Sequence, residues 1–343
     1  MTEPTKFEAL IEQSERILAT SHISPDPDAV CSVLLLGTTL KVNFPGKKVH
    51  MVLEENPSKD LAFLTGYDDV QFGPITDELK KFSPNLVIIV DAMNFERISR
   101  LDSTAIRDYI ETKDVKLAII DHHQQIDIEP AADAYINKTN PATAQELYEL
   151  LFEELGLKKP NGYAETTLLG IISDTARHKY DNPKHRQTFK IVSDLIDAGA
   201  SIEKLENRID NLTHGQLEVL DSLIKNISSD ARGFTYSYVD DTFTDAWLSA
   251  GRPINEFKSG FEEFTNRYLK NFEGNKWGFA VYRDISSGEP KTHGASFRSV
   301  SNAKDVSKIA NQLGGGGHKA AAGARITADN IEAALKTVLS LLK

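Results

Sequence analysis

The segment Leu117-Ala118-Ile119-Ile120-Asp121-His122-His123 narrows the fold more than any other part of the chain. Four apolar residues suit a short strand enclosed on both faces, and they are too few for a buried helix. Such a strand delivers one carboxylate and two imidazoles together at its carboxyl edge. The pattern recurs three times: Ile17-Leu18-Ala19 precedes His22, Asp26 and Asp28, the apolar run 86–90 precedes Asp91, and the run 168–172 precedes Asp174. In an open parallel sheet, groups at the strand ends meet in the crevice outside the carboxyl edge, so residues distant in sequence can build one site. Helix-type and strand-type segments alternate through the first half, which predicts an α/β fold with a parallel sheet.

The local patterns predict a strand at 16–20, a strand that begins at Leu86 and ends against Asp91, and a helix over 29–41. Thr143 and Glu146 read as a capping box opening a helix that runs to about Leu155. The spacing over 163–172 predicts a buried helix that presents Ser173, Asp174 and Thr175. A polar-rich helical stretch follows, and beyond it come strands at 234–239, 277–282 and 294–297 and helices at 305–312 and 328–342. The expected organisation is a catalytic metal-binding domain over 1–185, a helical connector over 186–228 and a smaller α/β substrate-binding domain over 229–343.

With 343 residues, 40% of them hydrophobic, the chain can bury a sizeable core. Its 39 Lys and Arg against 50 Asp and Glu leave a net charge of -11. That balance argues against long duplex nucleic acid, whose binding depends on many cationic contacts; a short RNA or a nucleotide is the expected partner. Cys31 stands alone, so no internal disulfide forms, and a buried core position is its expected role. No apolar run reaches membrane-spanning length and the start is acidic, so the expected location is the cytoplasm, with no membrane partner. A homodimer is admissible.

His22, Asp26, Asp28, Asp91, His122 and Asp174 have the chemistry to hold two divalent cations: several carboxylates offset the cations' mutual repulsion and neutral imidazoles complete the shells. Singly, each has a plainer reading. A loop aspartate such as Asp26 or Asp28 more often caps the helix that follows, and Asp91 alone suits an Asx turn; the coincidence of four strand or helix ends favours metal. In the second half, Gly314, Gly315, Gly316 and Gly317 precede His318. They read as a backbone that approaches a ligand closely and offers amides to an anion, against the plainer reading of a flexible linker. Arg298 offers a planar fork to phosphate, against an ordinary surface arginine. His50, His185, His214 and His293 read as surface or core residues, and His178 as solvent-facing.

Together, His22-x-x-x-Asp26-x-Asp28, Asp91, Asp121-His122-His123, Asp174 and Gly314 to His318 resemble the DHH phosphoesterase superfamily, in its branch with a DHHA1 domain and most closely in its small NrnA-like group. The resemblance covers nearly the whole chain. It implies a hydrolase that converts very short oligoribonucleotides, from dinucleotides to a few nucleotides, to mononucleotides, and that acts on adenosine 3',5'-bisphosphate. It implies two divalent ions, manganese foremost and magnesium as a substitute: one held by His22, Asp26 and Asp91, the other by Asp28, Asp91, His122 and Asp174. By the same resemblance Asp121 orients His122, His123 faces the phosphoryl group, and Arg298, the four glycines and His318 hold the nucleotide. The rival readings are a phosphodiesterase for cyclic-di-AMP or linear pApA and, from another class, a nucleotide-binding regulator without turnover. One departure stands out: Asp174-Thr175-Ala176-Arg177-His178 replaces the family's frequent Asp-Thr-Gly-x-Phe, which bears on the shape of the substrate pocket.

Overall fold

β-Branched and leucine-rich runs form the strands of a six-stranded parallel sheet: β1 Arg16–Thr20, β2 Lys48–Leu53, β3 Val70–Phe72, β4 Leu86–Val90, β5 Lys116–Ile120 and β6 Ala134–Ile136, in the order β3-β2-β1-β4-β5-β6. The computed structural model describes residues 1–57, 60–99, 102–123, 131–179, 182–300 and 303–342. The chain divides into two units, Met1–Asp210 and Asn211–Lys343, and this sheet belongs to the first.

Helices cover both faces, as a parallel sheet requires. They are α1 Glu3–Gln13, α2 Pro27–Asn43, α3 Ile75–Phe82, α4 Phe95–Ile98, α5 Ser103–Thr112, α6 Thr143–Tyr148, α7 Tyr163–Asp174, α8 His185–Asp197 and α9 Ile202–Ile209. The period of two along each strand decides which core a side chain joins. Ile17, Ala19, Ile88, Val90, Ala118 and Ile120 pack into the core beneath α2 and α7, whereas Leu18, Val87, Ile89, Leu117 and Ile119 pack with Ile75, Phe95 and Ile106 of α3, α4 and α5. α2 is apolar on nearly all sides, and Ala29 to Leu36 are enclosed, Cys31 included. Burying one such aliphatic side chain contributes roughly 1.5–3 kcal/mol, so α2 anchors the unit.

The strand order reverses at β1. From β1 the chain runs outward to β2 and β3, then returns to lay β4 on the other side of β1. The carboxyl ends of β1 and β4 therefore flank the crevice where ligands bind in doubly wound sheets.

The stretch 186–228, expected as a connector, is divided. α8 and α9 fall within the first unit, where Ile191, Val192, Leu195, Leu205 and Ile209 join its core. α10, His214–Lys225, falls within the second, with Val219, Leu220 and Leu223 in a core shared with Phe257, Phe261 and Phe264.

The second unit holds β7 Ser228–Asp230, β8 Phe234–Tyr238, α11 Asp241–Ser249, α12 Ile254–Arg267, β9 Trp277–Arg283, β10 Thr292–Ser299, α13 Ser307–Gln312, β11 Gly316–His318, β12 Ala321–Thr327 and α14 Ile331–Leu341. Its sheet runs β11-β12-β10-β9-β8-β7, antiparallel except for β8 against β9. No helix among the described residues is long and apolar enough to cross a membrane.

Candidate metal centre

His22, Asp26, Asp28, Asp91 and His122 stand where the chain leaves the carboxyl edge of the first sheet, and Asp174 joins them from the end of α7. His22 follows β1, and Asp26 caps α2, its Oδ1 accepting the Ala29 amide at 3.0 Å. The capping reading and the ligand reading of Asp26 are thus compatible, because its other oxygen, Oδ2, faces His22 Nε2 at 3.9 Å. Asp28 lies in the first turn of α2 and is fully enclosed. Asp91 follows β4 in the left-handed region, at φ 57°, and its amide donates to the Ile120 carbonyl at 2.9 Å. That conformation is strained for a residue with a Cβ, and it turns the carboxylate back over the edge.

The two oxygens of Asp91 face different partners. Oδ2 is 3.4 Å from His22 Nε2, and Oδ1 is 3.5 Å from His122 Nε2 and 3.8 Å from His123 Nδ1. His122 Nε2 also approaches Asp174 Oδ2, at 3.1 Å. Three groups result, each with potential ligand atoms within 4.8 Å of one another: His22, Asp26 and Asp91; Asp28, His122 and Asp174; and Asp91, His122 and His123. All six ligand-type residues singled out in the sequence enter one of these groups, and Asp174 arrives on the last residue of α7.

The imidazoles are oriented by their outer nitrogens. Nδ1 of His22 bonds the Ile23 carbonyl at 2.8 Å, and Nδ1 of His122 bonds the Asn140 carbonyl at 3.2 Å. A carbonyl only accepts, so each Nδ1 donates outward, which leaves each Nε2 facing the carboxylates. This corrects one expectation. Asp121 does not orient His122; its Oδ1 bonds His123 Nδ1 at 2.7 Å. Successive residues leaving an extended edge point opposite ways, which brings Asp121 beside His123, two residues on.

The expected capping box at Thr143 is likewise replaced. Thr143 is the first residue of α6, and its hydroxyl donates to Asp91 Oδ1 at 2.9 Å. Its amide and that of Ala144 donate to the two oxygens of Asp28, at 2.7 and 3.0 Å. Glu146 instead accepts the amides of Lys138 and Asn140. The pull of two buried carboxylates on the free amides and hydroxyl of a helix start outweighs the local box. Sequence reading missed Thr143 and Asn140 as parts of the site; for Thr143 the only signal was the helix start itself. α7 can pass this close because residue 170 is glycine: a Cβ there would lie 2.5 Å from Ala144 Cβ and 2.6 Å from Asp28 Oδ1.

The electrostatics show a site short of positive charge. Burial, reinforced by the charges of Asp91 and Asp26, holds the Asp28 carboxyl well above its usual range. Burial and the charge of Asp28 do the same to Asp174. Burial disfavours a charged His22, yet its bond to Asp91 and the charges of Asp26 and Asp91 outweigh this and raise its pKa to about 9. Asp91 is also penalised by burial, but His22, His122 and His123 hold it below its ordinary value.

In the second unit, Arg298 lies within β10 rather than after it, opposite Gly278 and Ala321. Its guanidinium donates to Asn266 Oδ1 and Ser296 Oγ, both at 2.8 Å. Gly316 and Gly317 form an edge strand with His318, rather than a loop, and Gly314, at φ 74°, turns the chain into it. A Cβ on Gly315 would collide with the backbone of Gly323 and Ala324, so this glycine serves close approach to β12. The side chain of His318 lies outside the described residues.

Comparison with known proteins matches residues 16–171 to the DHH family, N-terminal domain, and residues 262–343 to the DHHA1 domain. The chain is 26% identical over 342 residues to the bifunctional oligoribonuclease and PAP phosphatase NrnA of Bacillus subtilis, covering 97% of this chain and 98% of that protein. It is 27% identical over 214 residues to a probable manganese-dependent inorganic pyrophosphatase of Streptococcus mutans, covering 60% of this chain and 66% of that protein. Among solved structures, an exopolyphosphatase-related protein of Bacteroides fragilis shares the fold, with a TM-score of 0.81, 19% identity, and coverage of 99% of this chain and 96% of that one. Both domains in order on one chain, with the Asp121-His122-His123 triplet at the end of β5, place this protein in the DHH/DHHA1 family as an NrnA-like member.

Proposed function

We propose that the chain is a metal-dependent phosphoesterase that hydrolyses short oligoribonucleotides, dinucleotides foremost, to mononucleotides and also acts on adenosine 3',5'-bisphosphate. The observation that carries this reading is Asp91: one carboxylate whose two oxygens face two separate groups of ligand-type residues. The donor set fits a pair of divalent ions. Carboxylate oxygens suit manganese or magnesium, the imidazole nitrogens favour a transition ion such as manganese over magnesium, and the raised Asp28 and Asp174 carboxyls mark a charge deficit that cations relieve. His22, Asp26 and Asp91 would hold one ion, and Asp28, Asp91, His122 and Asp174 the other. When bound, such a pair activates water and offsets charge developing on the phosphoryl oxygens.

The protein's own residues supply orientation. The Ile23 and Asn140 carbonyls keep His22 and His122 in the tautomer that turns Nε2 inward. Asp121 fixes His123 through Nδ1 and, despite the penalty of burial, raises its pKa, so His123 can present a proton to the phosphoryl group or its leaving oxygen. The relatives' names support the substrate class, an oligoribonuclease and PAP phosphatase in B. subtilis. In the second unit, Arg298, the glycines 314–317 and His318 are proposed to hold the nucleotide.

The test is a panel of dinucleotides, longer RNA, cyclic-di-AMP, linear pApA and adenosine 3',5'-bisphosphate, with manganese, magnesium or a chelator. Manganese-dependent conversion of a dinucleotide to mononucleotides is expected, and chelation abolishes it. Turnover of cyclic-di-AMP alone would reassign the substrate, and no turnover of any member would leave a nucleotide-binding regulator.

A further inference from the structure

Arg97 is a cation that the carboxylate cluster has not recruited. It sits on α4, a single turn fixed by the buried side chains of Phe95 and Ile98 and by Asn94, whose Oδ1 accepts the Arg97 amide at 3.0 Å. The Arg97 carbonyl accepts the Ile23 amide at 2.7 Å, which ties this turn to the loop between His22 and Asp26. The backbone at 97 is therefore held at the mouth of the metal centre. Its side chain is exposed and makes no ion pair or hydrogen bond with any described residue. The neighbouring Glu96 is directed elsewhere, to Arg107 at 3.5 Å. The charge of Arg97 is nonetheless felt at His123, where it opposes the imidazolium that Asp121 favours.

With no ion-pair partner among the described residues and anchored through its backbone, Arg97 has a donor fork available for an anion that arrives from solvent.

We propose that Arg97 is a phosphate-binding residue of the first unit, its guanidinium donating to a non-bridging oxygen of the same phosphoryl group that His123 faces. The assignment rests on the phosphoesterase reading above. It adds a cationic contact made by protein rather than by metal, on the face of the phosphoryl group toward α4. Donors aimed at oxygens that gain charge during reaction stabilise that charge selectively.

The experiment measures binding by calorimetry with calcium in place of manganese, so that turnover does not intervene. The probes are a dinucleotide with its ordinary phosphodiester and the same dinucleotide with an uncharged methylphosphonate link. For Arg97→Gln, the phosphodiester should bind about ten- to a hundredfold more weakly, the range for losing a hydrogen bond to a charged group, while the methylphosphonate, whose one remaining non-bridging oxygen is uncharged, should lose distinctly less. Arg97→Lys, which keeps the charge without the fork, should fall between. Equal losses for both probes would indicate a merely structural role, and an unmoved phosphodiester would show no contact; either overturns the assignment. Manganese-dependent turnover of the dinucleotide by the unaltered protein runs in parallel. Its absence removes the phosphoesterase reading and the assignment together, whereas its presence beside an unmoved Arg97→Gln removes Arg97 alone.

Discussion

Thr143→Val isolates one contact at the centre of the site. The substitution keeps the shape of the side chain and the amide that serves Asp28, and removes only the hydroxyl that donates to Asp91 Oδ1 at 2.9 Å. Thr143 is fully enclosed and Asp91 is 2% exposed, so water cannot replace the lost donor. A hydrogen bond to a charged group contributes roughly 1.5–3 kcal/mol net. At about 1.4 kcal/mol per factor of ten, that corresponds to a loss of roughly ten- to a hundredfold, the range also typical when the partner of a metal ligand is removed. Calorimetric titration of metal-free protein with manganese reads this directly. Thr143→Val should weaken manganese binding by that factor, and Thr143→Ser, which retains the hydroxyl, should stay within about threefold of the unaltered protein. Unchanged manganese affinity in Thr143→Val would refute the view that this hydroxyl holds Asp91 in its ligating orientation.

Three further outcomes follow from the same geometry. Asp91→Ala should abolish manganese-dependent turnover, because it removes the carboxylate shared by both ligand groups, whereas Arg298→Ala should act chiefly on KM for the dinucleotide; steady-state kinetics separate the two. Gly170→Ala should lower the melting temperature and weaken manganese binding together, since its Cβ falls 2.6 Å from Asp28 Oδ1; a variant that melts and binds normally would contradict this close approach. Metal-free protein should lose stability as pH rises from 6.5 to 9. The folded pKa of His22, about 9, exceeds its ordinary 6.5, so its stabilisation is complete below about pH 6.5 and disappears as pH passes through 9, a difference on the order of 3 kcal/mol. The raised Asp28, Asp174 and His123 act in the same direction. Melting curves in chelator should therefore shift downward with pH, and a flat or rising trend would contradict the charge deficit.

The strands were legible in the sequence because an apolar run enclosed on both faces has little alternative. β1 and β4 begin and end as expected, and all six ligand-type residues converge. What the sequence concealed lies in contacts between distant segments. Asp121 serves His123 rather than His122, a choice made by the direction in which side chains leave β5. Thr143 looked like a local cap, but its donors reach Asp28 and Asp91, 115 and 52 residues away. Asn140 carries no local signal at all, since it orients His122 through its backbone carbonyl. The glycine run looked like a loop because glycine disfavours strands; close pairing with the small residues of β12 makes it an edge strand instead. The departure Ala176-Arg177-His178 adopts three consecutive left-handed conformations, at φ 47°, 63° and 60°. A family glycine at 176 would meet that geometry without strain, yet Arg177 holds the turn here, bonding Glu206 and Asp210 at 2.6 Å each. His178 packs against Phe189 rather than facing solvent alone.

Anomalous diffraction at the manganese edge, on crystals grown with manganese, probes the shared carboxylate most directly. Two peaks are predicted, one within ligand distance of His22, Asp26 and Asp91 Oδ2, the other of Asp28, His122, Asp174 and Asp91 Oδ1. Peaks that do not share Asp91, or no peak at the carboxyl edge of β1 and β4, would contradict a paired-cation centre.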